Sequence, residues 1–584
     1  MSRAESRKCL LQESGRDSAF REHSTLNLSG IAPRCCISMF VHRSICILVI
    51  CLFLPAGVLG QAPEVAPGES IQDFVNRVEA RPGIRADQTR SLDMHEAIGL
   101  ALQKNTDIAV FRMDAEISHY DVVSADGYYD YTSTFSLNSL YEKTPVTSIY
   151  GGGGTQGSFD QDEYAADFSL LKYVPWGGGT LQLEFNNSRM TTNASFETLS
   201  PQYNTNLSFT YTQPLVRNGS IDSGRYRVTR LKQSNLLSDV QFEMQVIAIV
   251  NSVQTTYLDL LGAIQNVRDQ EDAVRISYEQ LEANREAVRL NLIAAIELRS
   301  NESSIETRKG WLVVSVQQLA QMEDTLKALL TRDHSDSIWF ARLEPAAFPD
   351  RSAATPDVQD AIELALNKRP EVRQQDLQVE QSALDVRFFR NQMTPQVDLV
   401  GTASSAALAG TAVPEMLGKV PEQFVGGYGD AFKSMVGWDF PKFELGVLIS
   451  FPWGNKTASA NWAKATLQKQ QQEAKREQLM KEIAQEVRNA VQELQSTGIL
   501  VETSRAGRIA AQRMMEGEVE KYKAGKSTNF LVLQRQDEYF TARSTELAAV
   551  VNYQKAQVEF QRATGMILSK NDIDLAATAP SPGR

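Results

Sequence analysis

The chain has five cysteines in 584 residues, and all of them (Cys9, Cys35, Cys36, Cys46 and Cys51) precede residue 52. The rest carries no disulfide, thiolate ligand or cysteine nucleophile. Histidine is nearly as scarce. Beyond Gly60 only His95, His119 and His334 occur, none with a second ligand at metal spacing. No His-Glu-x-x-His and no Gly-x-Ser-x-Gly is present, so metalloprotease and serine-hydrolase centres are excluded. Basic excess is also lacking: the net charge is −12, which argues against a nucleic-acid partner. No run of eighteen apolar residues follows Gly60, so no transmembrane helix is expected. Any passage through a membrane must then use a β-barrel. With 42% hydrophobic and 22% charged residues, the chain is still a folding sequence.

Gly525-Lys526-Ser527 looks like the end of a phosphate-binding loop. That loop needs a glycine where Glu520 stands, and it should follow a strand, not a helix. Gly525 is better read as a helix stop. No cofactor and no catalytic residue is implied.

Residues 1–60 read as an N-terminal extension and signal peptide. Met39, His42 and Arg43 precede an apolar run from Ile45 to Leu54, and Val58 and Gly60 stand at the −3 and −1 positions of a cleavage site. Gln61 is the expected mature start, and Met39 the expected true start of translation. Basic residues outnumber acidic ones over 1–60, so the mature chain is more acidic than the whole.

What is present is a repeat. Asp93-Met94-His95-Glu96-Ala97-Ile98-Gly99-Leu100-Ala101-Leu102-Gln103-Lys104 returns in the second half as Asp357-Val358-Gln359-Asp360-Ala361-Ile362-Glu363-Leu364-Ala365-Leu366-Asn367-Lys368. A repeat fixes architecture before any local motif does. The expected order is an irregular lead-in over 61–90, a first unit over 91–331, a connector over 332–356, a second unit over 357–568 and a tail over 569–584. The first unit holds a helix over 91–126 capped by Ser91, strands over 131–213 and a long helical hairpin over 219–331. The second holds a helix over 357–391, strands over 395–452 and a hairpin over 455–568.

The strands are read from alternation. Phe135, Leu137 and Tyr141 share one face with Ser133 and Ser139, while Thr132, Thr134, Ser136 and Asn138 share the other. Leu181, Leu183 and Phe185 alternate with Gln182 and Glu184, and Phe443, Leu445, Val447 and Ile449 with Glu444 and Ser450. The stretch from Tyr131 to Pro214 is longer than its counterpart from Pro395 to Pro452. The excess matches an additional strand pair near 163–187, read as an inserted hairpin that either stands beyond the membrane or joins the barrel. Gly151 to Gly154 mark a loop. A barrel wall between lipid and water needs this alternation. An ordinary half-buried antiparallel sheet has it too.

The helices show narrow seams. Val246, Val250, Val253 and Tyr257 follow a 4-3-4 spacing, as do Ile483, Val487, Val491 and Leu494. Each outgoing helix runs about 70 residues, or about 100 Å at 1.5 Å per residue. The turns are expected near Ser300 and Gly525. Seams this narrow suit coiled-coil packing, in a tube wall or in a solvated spacer.

At this point the pattern resembles the TolC-like outer-membrane efflux proteins, over nearly all of residues 91–568. Thr212-Gln213-Pro214-Leu215-Val216-Arg217-Asn218-Gly219 looks like that family's strand-to-helix junction. Phe451-Pro452-Trp453-Gly454-Asn455-Lys456 is its counterpart. Lys521-Tyr522-Lys523-Ala524-Gly525-Lys526-Ser527-Thr528-Asn529-Phe530-Leu531-Val532-Leu533-Gln534 is similar to the hairpin tip. Leu292-Ile293-Ala294-Ala295-Ile296-Glu297-Leu298 looks like the first-half tip, with Asn291 where glycine is usual. The resemblance implies an α+β outer-membrane protein. Its homotrimer would share a barrel of four strands per protomer, continued by a coiled-coil tunnel into the periplasm. It further implies passive export in a tripartite efflux or type I secretion system, with a periplasmic adaptor and an inner-membrane pump as partners. It places Pro214, Gly219, Pro452 and Gly454 at the strand–helix junctions. Glu297, Arg299, Lys523, Gly525, Lys526, Gln534 and Asp537 fall at the periplasmic constriction and docking tip, with Glu297 as the one acidic ring position. The alternative is a non-conducting periplasmic spacer; an exported enzyme lacks any acid–base or metal constellation.

Overall fold

A computed structural model describes residues 71–80, 84, 89–146, 157–194, 197–346, 348, 357–413 and 419–574. The signal segment, the Gly151–Gly154 loop and the end of the tail lie outside them.

The lead-in is not wholly irregular: helix α1 (Ile71–Glu79) buries Phe74 against the long helices. The single helix expected over 91–126 is three elements. Ser91 lies in strand β1 (Thr89–Leu92), and α2 (Met94–Lys104) is separated from α3 (Thr106–Asp126) at Asn105. Asn105 breaks the helix because its Oδ1 accepts from Asp107 N at 2.9 Å and Ile108 N at 3.2 Å, an N-cap. The same break recurs at the matching place in the second unit, between α6 (Val358–Lys368) and α7 (Pro370–Gln392). There Pro370 opens the second helix with its preset φ.

Each unit then runs through strands into a long helix and back. Helix α4 (Ser223–Arg289) has 67 residues and α9 (Lys456–Lys523) has 68. The return helices α5 (Ile296–Leu330) and α10 (Asn529–Ala563) both have 35. The first turn falls before Ile296, earlier than Ser300. Asn291 ends α4 there with φ 56°, a left-handed turn that asparagine tolerates better than most residues. All eight expected seam residues, Val246 to Tyr257 and Ile483 to Leu494, are buried. Each contributes about 1.5–3 kcal/mol by leaving water. One window of α4 is long and apolar enough to cross a membrane, but half of it is buried, and α4 packs against α3, α5 and α10.

The connector between the units is held by strand β6 (Arg342–Pro345), which pairs in parallel with β1. Short helix α11 (Ile567–Lys570) closes the described chain.

The second unit is also tied by charge. Glu486 on α9 accepts from Arg369, before α7, and from Arg562 on α10. Burial pushes this carboxyl up, but the two guanidiniums outweigh burial and hold it below its ordinary 4.5. A depressed carboxyl stabilises the fold above its unfolded value and loses that contribution as pH falls through the folded one. Glu486→Gln should therefore lower the melting point at pH 7. Discounted for partial exposure, the loss is about 1 kcal/mol. The gap to wild type should close in melts below pH 4; a gap constant from pH 3 to 7 would refute the assignment.

The resemblance implied four barrel strands per protomer, with the pair near 163–187 as an insertion. One antiparallel sheet holds six: β2 (Thr132–Pro145), β3 (Ser158–Tyr173), β4 (Thr180–Thr192), β5 (Leu199–Pro214), β7 (Gln396–Ala412) and β8 (Pro441–Ser450), in that order. The extra pair, β3 and β4, is inserted between β2 and β5 and bonds to both. Its alternation matches theirs, so it continues both faces of the sheet. The region 395–452 is not all strand either: α8 (Tyr428–Gly437) interrupts it.

Candidate functional site

Three places carry the functional argument: the sheet faces, the strand–helix junctions and the hairpin tips. Register places Thr134, Ser169, Glu184, Ser208, Ser404 and Lys442 side by side across all six strands. The neighbouring rung on the other face is Phe135, Phe168, Phe185, Leu207, Ser405 and Pro441. The next rung on that apolar face is Ser133, Leu170, Leu183, Phe209, Ala403 and Phe443. One face is thus polar and the other apolar. Among the described residues β2 and β8 are the free edges of the sheet, and their apolar side chains are open: Leu137 is 70% and Leu445 78% exposed.

At the first junction, Pro214 ends β5 and the chain reverses at Asn218, where φ is 65°. Asn218 N donates to Asn391 Oδ1 at 2.8 Å, and Arg225 holds the turn through the carbonyls of Asn218 and Gly219. Gly219 is needed for space, since a Cβ there would meet the Leu215 carbonyl oxygen at 3.0 Å. At the second junction Gly454 and Asn455 take the left-handed turn, and Trp453 is 97% exposed.

At the tips, Glu297 lies in the first turn of α5 and accepts from Asn529 Nδ2 at 3.3 Å. Gly525 ends α9 with φ 70°, and Lys526 is exposed beside it. Glu297 and the 525–529 turn therefore meet. The other expected tip residues do not join them. Arg299 bonds Glu302, Lys523 bonds Glu520 and Gln534 bonds Glu538, each within its own helix. Asp537 pairs with buried Arg308 at 2.5 Å, and Arg308 lies over the Phe540 ring.

Sequence reading missed the polar cluster that joins the two tips. Asn284 Nδ2 donates to Asn301 Oδ1 at 3.0 Å and Asn529 Oδ1 at 2.8 Å, and the Tyr522 hydroxyl donates to Asn284 Oδ1 at 2.9 Å. All three asparagines are buried. The available signal was Asn284, a polar residue just past Leu281 on the seam of α4.

No protein-family model and no curated protein matches the sequence. Solved structures do. The Campylobacter jejuni CmeC outer membrane channel is similar at TM-score 0.58 and 16% identity, over 83% of this chain and 90% of that one. The Vibrio cholerae outer membrane protein VceC aligns at TM-score 0.58 and 12% identity, over 81% and 96%. A Pseudomonas aeruginosa membrane protein aligns at TM-score 0.59 and 14% identity, over 82% and 91%. The chain therefore has the fold of the TolC-like outer-membrane channels.

Proposed function

We propose that this protein is a passive outer-membrane export channel. It belongs to a tripartite efflux or type I secretion system and works as a homotrimer. A periplasmic adaptor docks on its hairpin tips and an inner-membrane pump supplies the energy. The observation that carries this reading is the agreement of its free edges. The free β2 edge follows α3, whose Val110, Met113, Ile117 and Tyr120 form an exposed apolar stripe. The free β8 edge precedes α9, which buries seven residues where α4 buries twenty. One chain's α3–β2 edge fits the next chain's β8–α9 edge, a head-to-tail contact that closes into a ring. Lipid tolerates no open sheet edge, so the wall must close between copies.

Three copies give eighteen strands where the resemblance implied twelve. At a spacing of about 4.8 Å and a tilt of about 40°, eighteen strands have a perimeter of about 110 Å. The four helices α3, α4, α7 and α9 give twelve in a trimer, about 100–120 Å around at about 8–10 Å each. Sheet and helical tube are then matched in girth. The apolar face meets lipid and the polar face lines the duct. Glu297 supplies the acidic ring at the periplasmic end.

The test is the detergent-extracted particle in a planar bilayer. About three chain masses and a steady ohmic current are expected. A monomer without conductance would move the assignment to the spacer. Glu297→Gln should lower cation preference; unchanged selectivity would remove Glu297 from the constriction and leave the channel standing.

A further inference from the structure

Helix α8 lies on the apolar face of its own sheet, the face assigned above to lipid. Its Ala431 and Met435 are buried there. Ser405 Oγ donates to the Met435 carbonyl at 2.8 Å, which satisfies a last-turn carbonyl and a polar side chain of the wall together. The Tyr428 hydroxyl donates to Asn187 Oδ1 at 3.0 Å, and its ring meets that of Tyr203. Phe432 stands edge-on to the Phe185 ring of the wall and is partly open, Val436 is exposed, and Trp438 follows in a left-handed cap.

Between the start of α8 and strands β2 to β5 this packing leaves an open cup of ≈ 610 Å³, within the size range of ligand sites. Phe135, Leu137, Tyr164, Phe168 and Tyr203 line it together with Arg189. Register puts Arg189 between Tyr164 and Tyr203, on the rung of Ala409, far from the Pro214 junction. Among the described residues the Arg189 guanidinium has no hydrogen-bond or ion-pair partner. A bare guanidinium on a lipid-facing wall is destabilising, and less so near the interface than at the midplane. An anion beside it would offset that cost, and a phosphate suits its forked geometry.

We propose that this cup binds an anionic, phosphate-bearing lipid of the outer membrane, with acyl chain against the aromatic floor and headgroup phosphate on Arg189. The proposal rests on the reading of the apolar face as the lipid face. Charge complementarity selects the headgroup, and the apolar lining, continuous with the wall, selects the chain. Tyr428, the first residue of α8, forms one side of the cup, so the start of the helix acts as a brace for the bound lipid.

The experiment uses the full chain extracted in detergent, with Arg189→Gln and Arg189→Lys. Native mass spectrometry after addition of phosphatidylglycerol, with phosphatidylcholine as the neutral comparison, reads lipid retention. Wild type should retain about one phosphatidylglycerol per chain, with about a tenfold preference over phosphatidylcholine, because the choline cation of the latter already neutralises the phosphate that Arg189 would bond. Arg189→Gln should lose the preference, and Arg189→Lys should keep most of it. Equal retention by wild type and Arg189→Gln, or no headgroup preference in wild type, overturns the site. Flotation of the same samples with phosphatidylglycerol vesicles separates the two failures. A chain that floats without headgroup preference loses only this site. A chain that does not float loses the lipid-facing reading as well, and this site with it.

Discussion

Lys327→Ala should cost about 3–5 kcal/mol, because it strands a buried carboxylate. Lys327 and Glu323, one turn apart on α5, are both essentially inaccessible, at 0% and 1% side-chain exposure, and their charged atoms are 2.9 Å apart. Glu323 also accepts from Leu343 N at 3.1 Å, and Lys327 Nζ donates to the Trp339 carbonyl at 3.3 Å. The pair therefore fixes both the turn after α5 and strand β6. Strand β6 in turn holds β1, and the Tyr257 hydroxyl bonds both the Leu92 carbonyl and Ala346 N. Losing the lysine should free the connector between the two units. A lower melting point and new protease cleavage between residues 332 and 346 are the expected results. The double change Glu323→Leu with Lys327→Met should recover most of the loss, since a buried pair replaced by apolar groups is often neutral or better. If Lys327→Ala melts and digests like wild type, the pair does not hold the connector.

What could be read from the sequence followed the range of the signal. The seams at Val246 to Tyr257 and Ile483 to Leu494 were legible because helical spacing is local, and burial follows from it. Strands β3 and β4 were legible as strands, because Leu181, Leu183 and Phe185 alternate. Their neighbours were not. Alternation says that a segment has two faces, and nothing in it says that Phe168 lies between Phe135 and Phe185. That is why the pair was read as an insertion and not as the middle of one six-stranded sheet. Strands β1 and β6 are one short pairing each and exist through parallel contact between segments far apart in the chain, as from Thr89 to Arg342. Helix α8 is short, and its packing on the apolar face depends on contacts from Thr205 and Ser405 that no local pattern announces. At the tips the motif located Glu297 and Gly525. The tie between the tips runs through Asn529, whose side chain bonds Asn284 on α4 and Glu297 and Asn301 on α5.

A charge on the outward face should separate the channel from the spacer by sign as well as size. Leu445 lies near the middle of β8, opposite Gly401, and its neighbour Glu444 points to the other face, opposite Thr402. If the apolar face meets lipid, Leu445→Arg should cost about 2–4 kcal/mol, the range for a cation near the bilayer midplane. Assembled protein in the outer-membrane fraction should fall sharply. Glu444→Arg should assemble normally, since it loses only the exposed pair with Lys442, worth about 0–1 kcal/mol. It should instead shift ion preference, because a carboxylate on the duct wall becomes a cation. In a water-facing spacer the order changes. An exposed Leu445 would be replaced by arginine at within about ±0.5 kcal/mol, and neither variant would alter a conductance that does not exist. Two substitutions at adjacent positions thus report on opposite faces of one strand. Unequal assembly requires that the faces meet different solvents; equal assembly would mean that both meet water and that the sheet closes around no channel.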